Sequence, residues 1–314
     1  MSKIAFIFPG QGSQEVGMAQ NVFEQNEKAS SVIKKADERL EYSLSGYMFN
    51  GPKEVLKKTE HAQPALLTAS TALLETVKEK DLSPDFVAGH SLGEYSALVA
   101  AGVLSFEDAV YAVRQRGLFM EEAVPDGVGA MAAIMGLERT ELERVCTEAS
   151  AEGETAELAN LNAPGQIVIS GSKKGVETAS DLAKEAGAKR AIPLEVSGPF
   201  HSTLMEPAKD KLRDVLSDIS FQDAGVPVMT NVTALPETNG ETLRDLLVDQ
   251  VTSPVLWEDT IKNLIERDVT TFIEIGSGNV LSGLVRRIQR RGLEVHAVND
   301  LESLEKTIKK LKEE

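Results

Sequence analysis

Two rhythms of apolar residues divide the first third of the chain. Lys3 to Phe8 and Phe86 to Ala88 are short continuous apolar runs, the pattern of strands buried on both faces. Between them, apolar positions recur three and four residues apart, which predicts helices over 14–24, 27–40, 52–59 and 64–79, with Pro52 suited to a first turn. After the second run a helix with Leu92, Tyr95, Leu98 and Val99 on its apolar face is expected. Ser105 then caps another, with Glu107 and Asp108 in its first turn and Phe106, Ala109, Val110, Val113, Gly117 and Met120 as its stripe. Arg114 and Arg116 fall on opposite flanks of that stripe, and periodicity leaves open which of them points inward.

From Val128 the order changes to strand 128–135, helix 138–149, strands 155–160 and 166–170, helix 173–186 and strand 189–196. That βαββαβ order is the split βαβ of ferredoxin-like domains. Pro125-Asp126-Gly127 and Ser197-Gly198-Pro199 bracket it with turn residues. The expected architecture is therefore α/β: a large α/β-hydrolase-like domain with a mostly parallel sheet, built from 1–126 and 199–314, and a small ferredoxin-like domain, 127–198, inserted into it. The cleft between the two is the expected site. Within the insert, Asn160-Leu161-Asn162-Ala163-Pro164-Gly165-Gln166 reads as a polar hairpin turn. Beyond it come a helix beginning at His201, a strand at 226–229, helices at 241–250 and 255–267, and a strand at 270–275. Gly276-Ser277-Gly278-Asn279 then opens a helix to Gln289, and 294–298 is the last strand.

Composition narrows the class. The chain has 314 residues, 42% of them hydrophobic, enough for one large core and a smaller one. No apolar run approaches the ~18 residues of a membrane span, and the amino terminus lacks a signal peptide's long apolar region, so a cytoplasmic protein without membrane contact is expected. The single cysteine, Cys146, agrees with a reducing compartment. Forty-nine acidic against thirty-three basic residues give a net charge of −16, which argues against nucleic acid as a partner.

The chemistry concentrates at Gly89-His90-Ser91-Leu92-Gly93. A strand, a sharp turn and a helix around G-x-S-x-G is the nucleophile elbow: glycines on either side let backbone pass close, and the serine hydroxyl projects from the sheet edge in front of a helix N-terminus. Ser91 therefore reads as a nucleophile. The loop Pro9-Gly10-Gln11-Gly12-Ser13-Gln14 follows the first strand. It fails the dinucleotide fingerprint because Glu15 stands where a third glycine is needed, but its Gln11 backbone N–H could be the second oxyanion donor. A base must come from four histidines. His90 neighbours Ser91 and supports the turn, and His61 has no tie to a strand end. His296, with an acid such as Glu274, fits an ordinary hydrolase order. His201 sits at the domain boundary and at a helix start whose dipole keeps an imidazole neutral. The residues alone leave both open.

Assembled, Gly10 to Gln14, Gly89 to Glu94, Arg114 to Gly117, Asn162 to Gly171, Gly198 to Ser202, Gln250 and Glu274 to Leu281 make the chain resemble the malonyl-CoA:acyl carrier protein transacylases of bacterial fatty acid synthesis, nearly end to end. The resemblance implies a ping-pong transfer of malonyl from malonyl-CoA through Ser91 to the phosphopantetheine thiol of holo-acyl carrier protein, with no cofactor and no metal. It makes His201 the base, held by the backbone carbonyl of Gln250. Gln11 and Leu92 match the oxyanion-hole amides, and Arg116 matches the partner of the malonyl carboxylate. Gln63 and Asn162 match pocket-lining positions, and Phe200 matches the bulky residue that favours malonyl over methylmalonyl. A serine esterase or thioesterase shares Ser, base and oxyanion hole. A noncatalytic carrier-binding module is the rival of another class, and an acyltransferase serving polyketide synthesis would share nearly every one of these motifs. A monomer is expected.

Overall fold

The computed structural model describes residues 3–125 and 127–313; Met1, Ser2, Glu314 and Asp126, the last on the first expected domain boundary, lie outside the described residues. Among the described residues, ten strands form two sheets. Strands β1 (Lys3–Phe8), β2 (Phe86–Gly89), β7 (Val228–Met229), β8 (Pro236–Glu237), β9 (Val269–Ile275) and β10 (Glu294–Val298) build a six-stranded sheet in the order β10-β9-β1-β2-β7-β8. All its pairings are parallel except the β7–β8 edge. Strands β3 (Gly129–Met135), β4 (Ala156–Ala163), β5 (Gln166–Ser172) and β6 (Arg190–Pro193) form a separate antiparallel sheet, ordered β4-β5-β3-β6.

The continuous apolar runs follow from burial on both faces of the parallel sheet. On β1, Phe6 and Phe8 enter one core with Val87, Ile273 and Ile275, while Ala5 and Ile7 enter another with Ala88, Phe272 and Met229. Helices Thr59–Lys78, Gly93–Ala100 and Phe106–Glu122 cover the first face, and Trp257–Ile265 with Val280–Ile288 cover the second. The small sheet is likewise buried twice. Ala132, Ile134, Ile167 and Ile169 pack under helices Arg139–Ala149 and Lys173–Glu185, whereas Met131, Ala159 and Val168 join the large core. Val255 ties the sheets further, its N–H donating to the Ala159 carbonyl at 2.8 Å and its own carbonyl accepting from Leu161 N–H at 2.9 Å.

Several expected boundaries move, each for a local reason. The helix expected from Pro64 begins at Thr59, with Pro64 inside it. Proline has no N–H to donate to the Glu60 carbonyl one turn back, and that carbonyl accepts Arg114 Nη1–H instead at 2.6 Å. The helices expected at 14–24 and 52–59 shrink to Gln20–Gln25 and Lys53–Leu56, with another at Leu44–Asn50. The polar turn expected at 160–166 is mostly strand: β4 runs to Ala163 and Pro164-Gly165 alone turns the chain. His201 does not begin a helix; a short 3-10 turn, Thr203–Met205, separates it from helix Glu206–Ser217.

Candidate active site

Ser91 stands between β2 and helix Gly93–Ala100 at a positive φ of 51°, the left-handed region that side chains ordinarily avoid. Its flanking glycines are required by close approach. A Cβ on Gly89 would lie 1.9 Å from the Gly93 carbonyl carbon, and one on Gly93 would lie 2.1 Å from the Phe8 carbonyl oxygen. The elbow thus wedges the helix start against the ends of β1 and β2, and Ser91 Oγ enters a cleft of about 440 Å³. Gln11, His90, Arg116, Met120, Met131, Asn160, Phe200 and His201 are among its lining residues.

His201 Nε2 lies 2.8 Å from Ser91 Oγ. On the other side of the ring, Nδ1 faces two backbone carbonyls, Gln250 O at 2.9 Å and Ser253 O at 3.1 Å. Carbonyls only accept, so Nδ1 carries the hydrogen and Nε2 presents its lone pair to the serine. Burial, and next the Arg116 charge, pull the His201 pKa down to about 3. The ring is therefore kept neutral by desolvation and a neighbouring cation, not by the helix dipole expected from the sequence, because no helix starts at His201. His296 is elsewhere, on edge strand β10, with Nε2 3.4 Å from Glu294. Glu274 does not relay to it; its carboxylate accepts the Leu281 and Ser282 N–H groups at the start of helix Val280–Ile288. His61 packs with Tyr42, Arg114 and Glu60.

The two arginines separate cleanly. Arg114 pairs with Glu60 at 2.9 Å on the outer flank. Arg116 is only 1% exposed and no carboxylate among the described residues forms an ion pair with it. Its Nη1 donates to Gln63 Oε1 at 2.8 Å, and its Nη2 donates to Ser91 Oγ at 3.1 Å and Gln250 Oε1 at 3.0 Å. Its Nε has no partner among the described residues. A desolvated cation without a contacting anion, touching a nucleophile's oxygen, has the charge and the position to take up an anionic group.

Leu92 caps the elbow helix, and among the described residues neither its N–H nor that of Gln11 has an acceptor. Gln11 is held beside the elbow by its side chain, which donates to Thr59 Oγ1 at 3.2 Å, and by Gly10, where a Cβ would come 2.4 Å from the His90 carbonyl oxygen. Phe200, 7% exposed, forms part of the apolar wall. Two expected lining residues do not line the cleft. Gln63 is fully buried behind Arg116. Asn162 turns to His90, its Oδ1 2.8 Å from Nε2, while Asn160 faces the cleft. Irregular pairing between Leu161 and Ala163 leaves Asn162 out of the strand alternation, which sets this parity.

One residue had no signal in the sequence. Asn231, in the loop after β7, accepts the Ser91 N–H at Oδ1 (2.7 Å) and donates from Nδ2 to the Gly89 carbonyl (2.6 Å). It brackets the elbow from 140 residues away, beyond the reach of any spacing rule.

The chain as a whole is similar to known proteins. The chain is 58% identical over 314 residues to the malonyl CoA-acyl carrier protein transacylase of Bacillus subtilis, covering 100% of this chain and 99% of that protein. An acyl carrier protein S-malonyltransferase from Vibrio cholerae superposes with a TM-score of 0.95 at 46% identity, over 98% of this chain and all of that one. A malonyl-transacylase solved in complex with a type II polyketide synthase acyl carrier protein superposes with a TM-score of 0.95 at 44% identity, over 98% of this chain and 100% of that one. A profile described as acyl transferase domain matches residues 5–313, and the chain belongs to that family.

Proposed function

We propose that this protein transfers malonyl from malonyl-CoA to the phosphopantetheine thiol of holo-acyl carrier protein, in fatty acid biosynthesis, through a malonyl-serine. The observation that carries the reading is the buried Arg116 guanidinium on Ser91 Oγ, a cation placed where the acyl group must sit. Its hydrogen bonds go to neutral oxygens of Gln63, Gln250 and Ser91, so its charge is left for the acyl carboxylate.

In the first half-reaction Ser91 Oγ attacks the thioester carbonyl while His201 Nε2 takes its proton. The oxyanion meets the free N–H groups of Gln11 and Leu92. Collapse breaks the C–S bond, and the CoA thiolate recovers the proton from His201 Nε2. The second half runs in reverse, the carrier's thiol losing its proton to Nε2 and attacking the serine ester. Backbone carbonyls behind His201 stabilise an imidazolium less than a carboxylate does. That suits the first half-reaction, whose leaving group is a thiolate; in the second the imidazolium returns its proton to the departing Ser91 Oγ. Gln63 and Gln250 act by holding Arg116, Asn162 by holding His90, and Phe200 by narrowing the acyl pocket.

We further read residues 127–198 as a ferredoxin-like insert in an α/β-hydrolase-like domain, a reading supported by the four-stranded order β4-β5-β3-β6. A monomer suffices, since one chain supplies the whole cleft. No helix among the described residues is long and apolar enough to cross a membrane, and a cytoplasmic location fits the one buried thiol, Cys146, pushed up to about 12 by burial. The test is product partition: with malonyl-CoA and holo-carrier, malonyl-carrier should form far faster than free malonate. Predominant hydrolysis would make the protein a thioesterase. The carrier complex of its relative recommends running polyketide and fatty acid carriers side by side.

A further inference from the structure

Behind the reacting atoms lies a buried carboxylate that the mechanism above does not use. Glu94, in the first turn of the elbow helix, is 1% exposed. Its Oε2 accepts Gln250 Nε2–H at 2.7 Å and Asn231 backbone N–H at 3.1 Å. Gln250 Nε2 also donates to the Ser91 carbonyl at 3.1 Å, and Gln250 Oε1 accepts from Arg116 at 3.0 Å. The Gln250 backbone carbonyl holds His201. Gln250 thus touches the nucleophile, the base and the carboxylate receptor, and Glu94 touches Gln250.

An amide has two ends, and nothing in Gln250 itself decides which faces Arg116. An ionised carboxylate decides it. Glu94 can only accept, so the NH₂ end must turn to it and the oxygen must turn to the guanidinium. Asn231 is fixed by the same carboxylate through its backbone, and its side chain fixes Ser91 in its left-handed conformation. We propose that Glu94 is a positioning residue that sets the polarity of the Gln250 amide and, through it, the aim of Arg116, while Asn231 clamps the Ser91 backbone to the same carboxylate. This rests on the malonyl-transfer reading.

Protonation should therefore loosen the arrangement. Burial raises the Glu94 pKa to about 7, against the lowering effect of Gln250, Asn231 and Arg116. The charged and titratable groups that face it are Arg116, from helix Phe106–Glu122, and Tyr95 on its own helix, whose hydroxyl burial pushes far up; Asn231 and Gln250 present amides. His201, at about 3, is already neutral throughout this range. A fall in kcat/KM for malonyl-CoA as pH drops through about 7 thus belongs to Glu94, because the ionised form is the one that accepts both N–H groups.

The experiment compares wild type with Glu94→Gln, measuring kcat and KM for malonyl-CoA and acetyl-CoA from about pH 5 to about pH 9. The isosteric amide is expected to lower malonyl kcat/KM about tenfold to a hundredfold, acetyl kcat/KM several-fold less, and to abolish the limb near neutrality. A simple loss of packing would lower both substrates alike and leave the limb. Should the variant fold poorly, infrared difference spectra of the wild type should show a protonated carboxyl band that titrates together with the malonyl limb. Overturning results are a Glu94→Gln enzyme with wild-type malonyl kcat/KM and an unchanged limb, or a wild-type limb with no carboxyl titrating beside it. A wild type that loads no malonyl overturns the functional reading, and this inference with it.

Discussion

Replacing Arg116 by alanine tests how the cleft selects its acyl group. In the structure this guanidinium is 1% exposed, lies over the Tyr95 ring and hydrogen-bonds among the described residues to amide oxygens and Ser91 Oγ, so a bound malonyl carboxylate becomes its one direct counter-ion. A carboxylate buried in that cleft without the cation loses a desolvated pair partner, which costs about 3–5 kcal/mol, or roughly a hundredfold to a few thousandfold in kcat/KM. Acetyl carries no charge to strand. At the reacting atoms it loses only the contact to Ser91 Oγ, worth about 1 kcal/mol, so its transfer should fall by roughly fivefold. The assay is transfer to holo-carrier from each thioester, with melting temperature as a check on folding. Arg114→Ala, on the outer flank, should leave the malonyl to acetyl ratio unchanged, because its guanidinium serves Glu60. Equal losses for malonyl and acetyl in Arg116→Ala would refute carboxylate recognition and leave Arg116 as support for the serine.

Three further outcomes follow from the same geometry. His201→Ala should reduce acyl-serine formation to background while His296→Ala keeps nearly full rate; the reverse would restore the ordinary hydrolase arrangement. Gly89→Ala should destabilise the fold by about 1–3 kcal/mol or more, since its Cβ would meet the Gly93 carbonyl at 1.9 Å, whereas Gly283→Ala, with nothing within 4 Å, should be neutral or stabilising in thermal melts. Charge reversal at Arg287 and Arg290, exposed near the end of helix Val280–Ile288, should raise the KM for an acidic carrier protein several-fold and flatten its salt dependence; an unchanged KM at low salt would remove them from the docking surface.

Much of the fold was legible because burial on both faces leaves a plain trace. Phe6 and Phe8 serve one core and Ala5 and Ile7 the other, so β1 reads as an unbroken apolar run. The elbow was legible because sterics demand glycine at 89 and 93 whatever surrounds them. Arg116 could not be told from Arg114 by periodicity, since both flank one stripe; the tie of Arg114 to Glu60 separates them, and Pro64 creates part of it by freeing that carbonyl. Asn162 was expected to line the pocket and Asn160 does so instead, because the strand's irregular pairing breaks alternation between them. Asn231 left no trace, because a loop amide acting across 140 residues has neither period nor motif. Glu94 was visible within its motif, yet its partners were not.

The central claim, that Ser91 carries malonyl as a covalent intermediate, is tested most directly by mass spectrometry of the protein mixed with malonyl-CoA alone. One malonyl adduct should accumulate, map to the peptide containing Ser91, disappear in Ser91→Ala and discharge when holo-carrier is added. Absence of any adduct, with transfer still proceeding, would contradict the account.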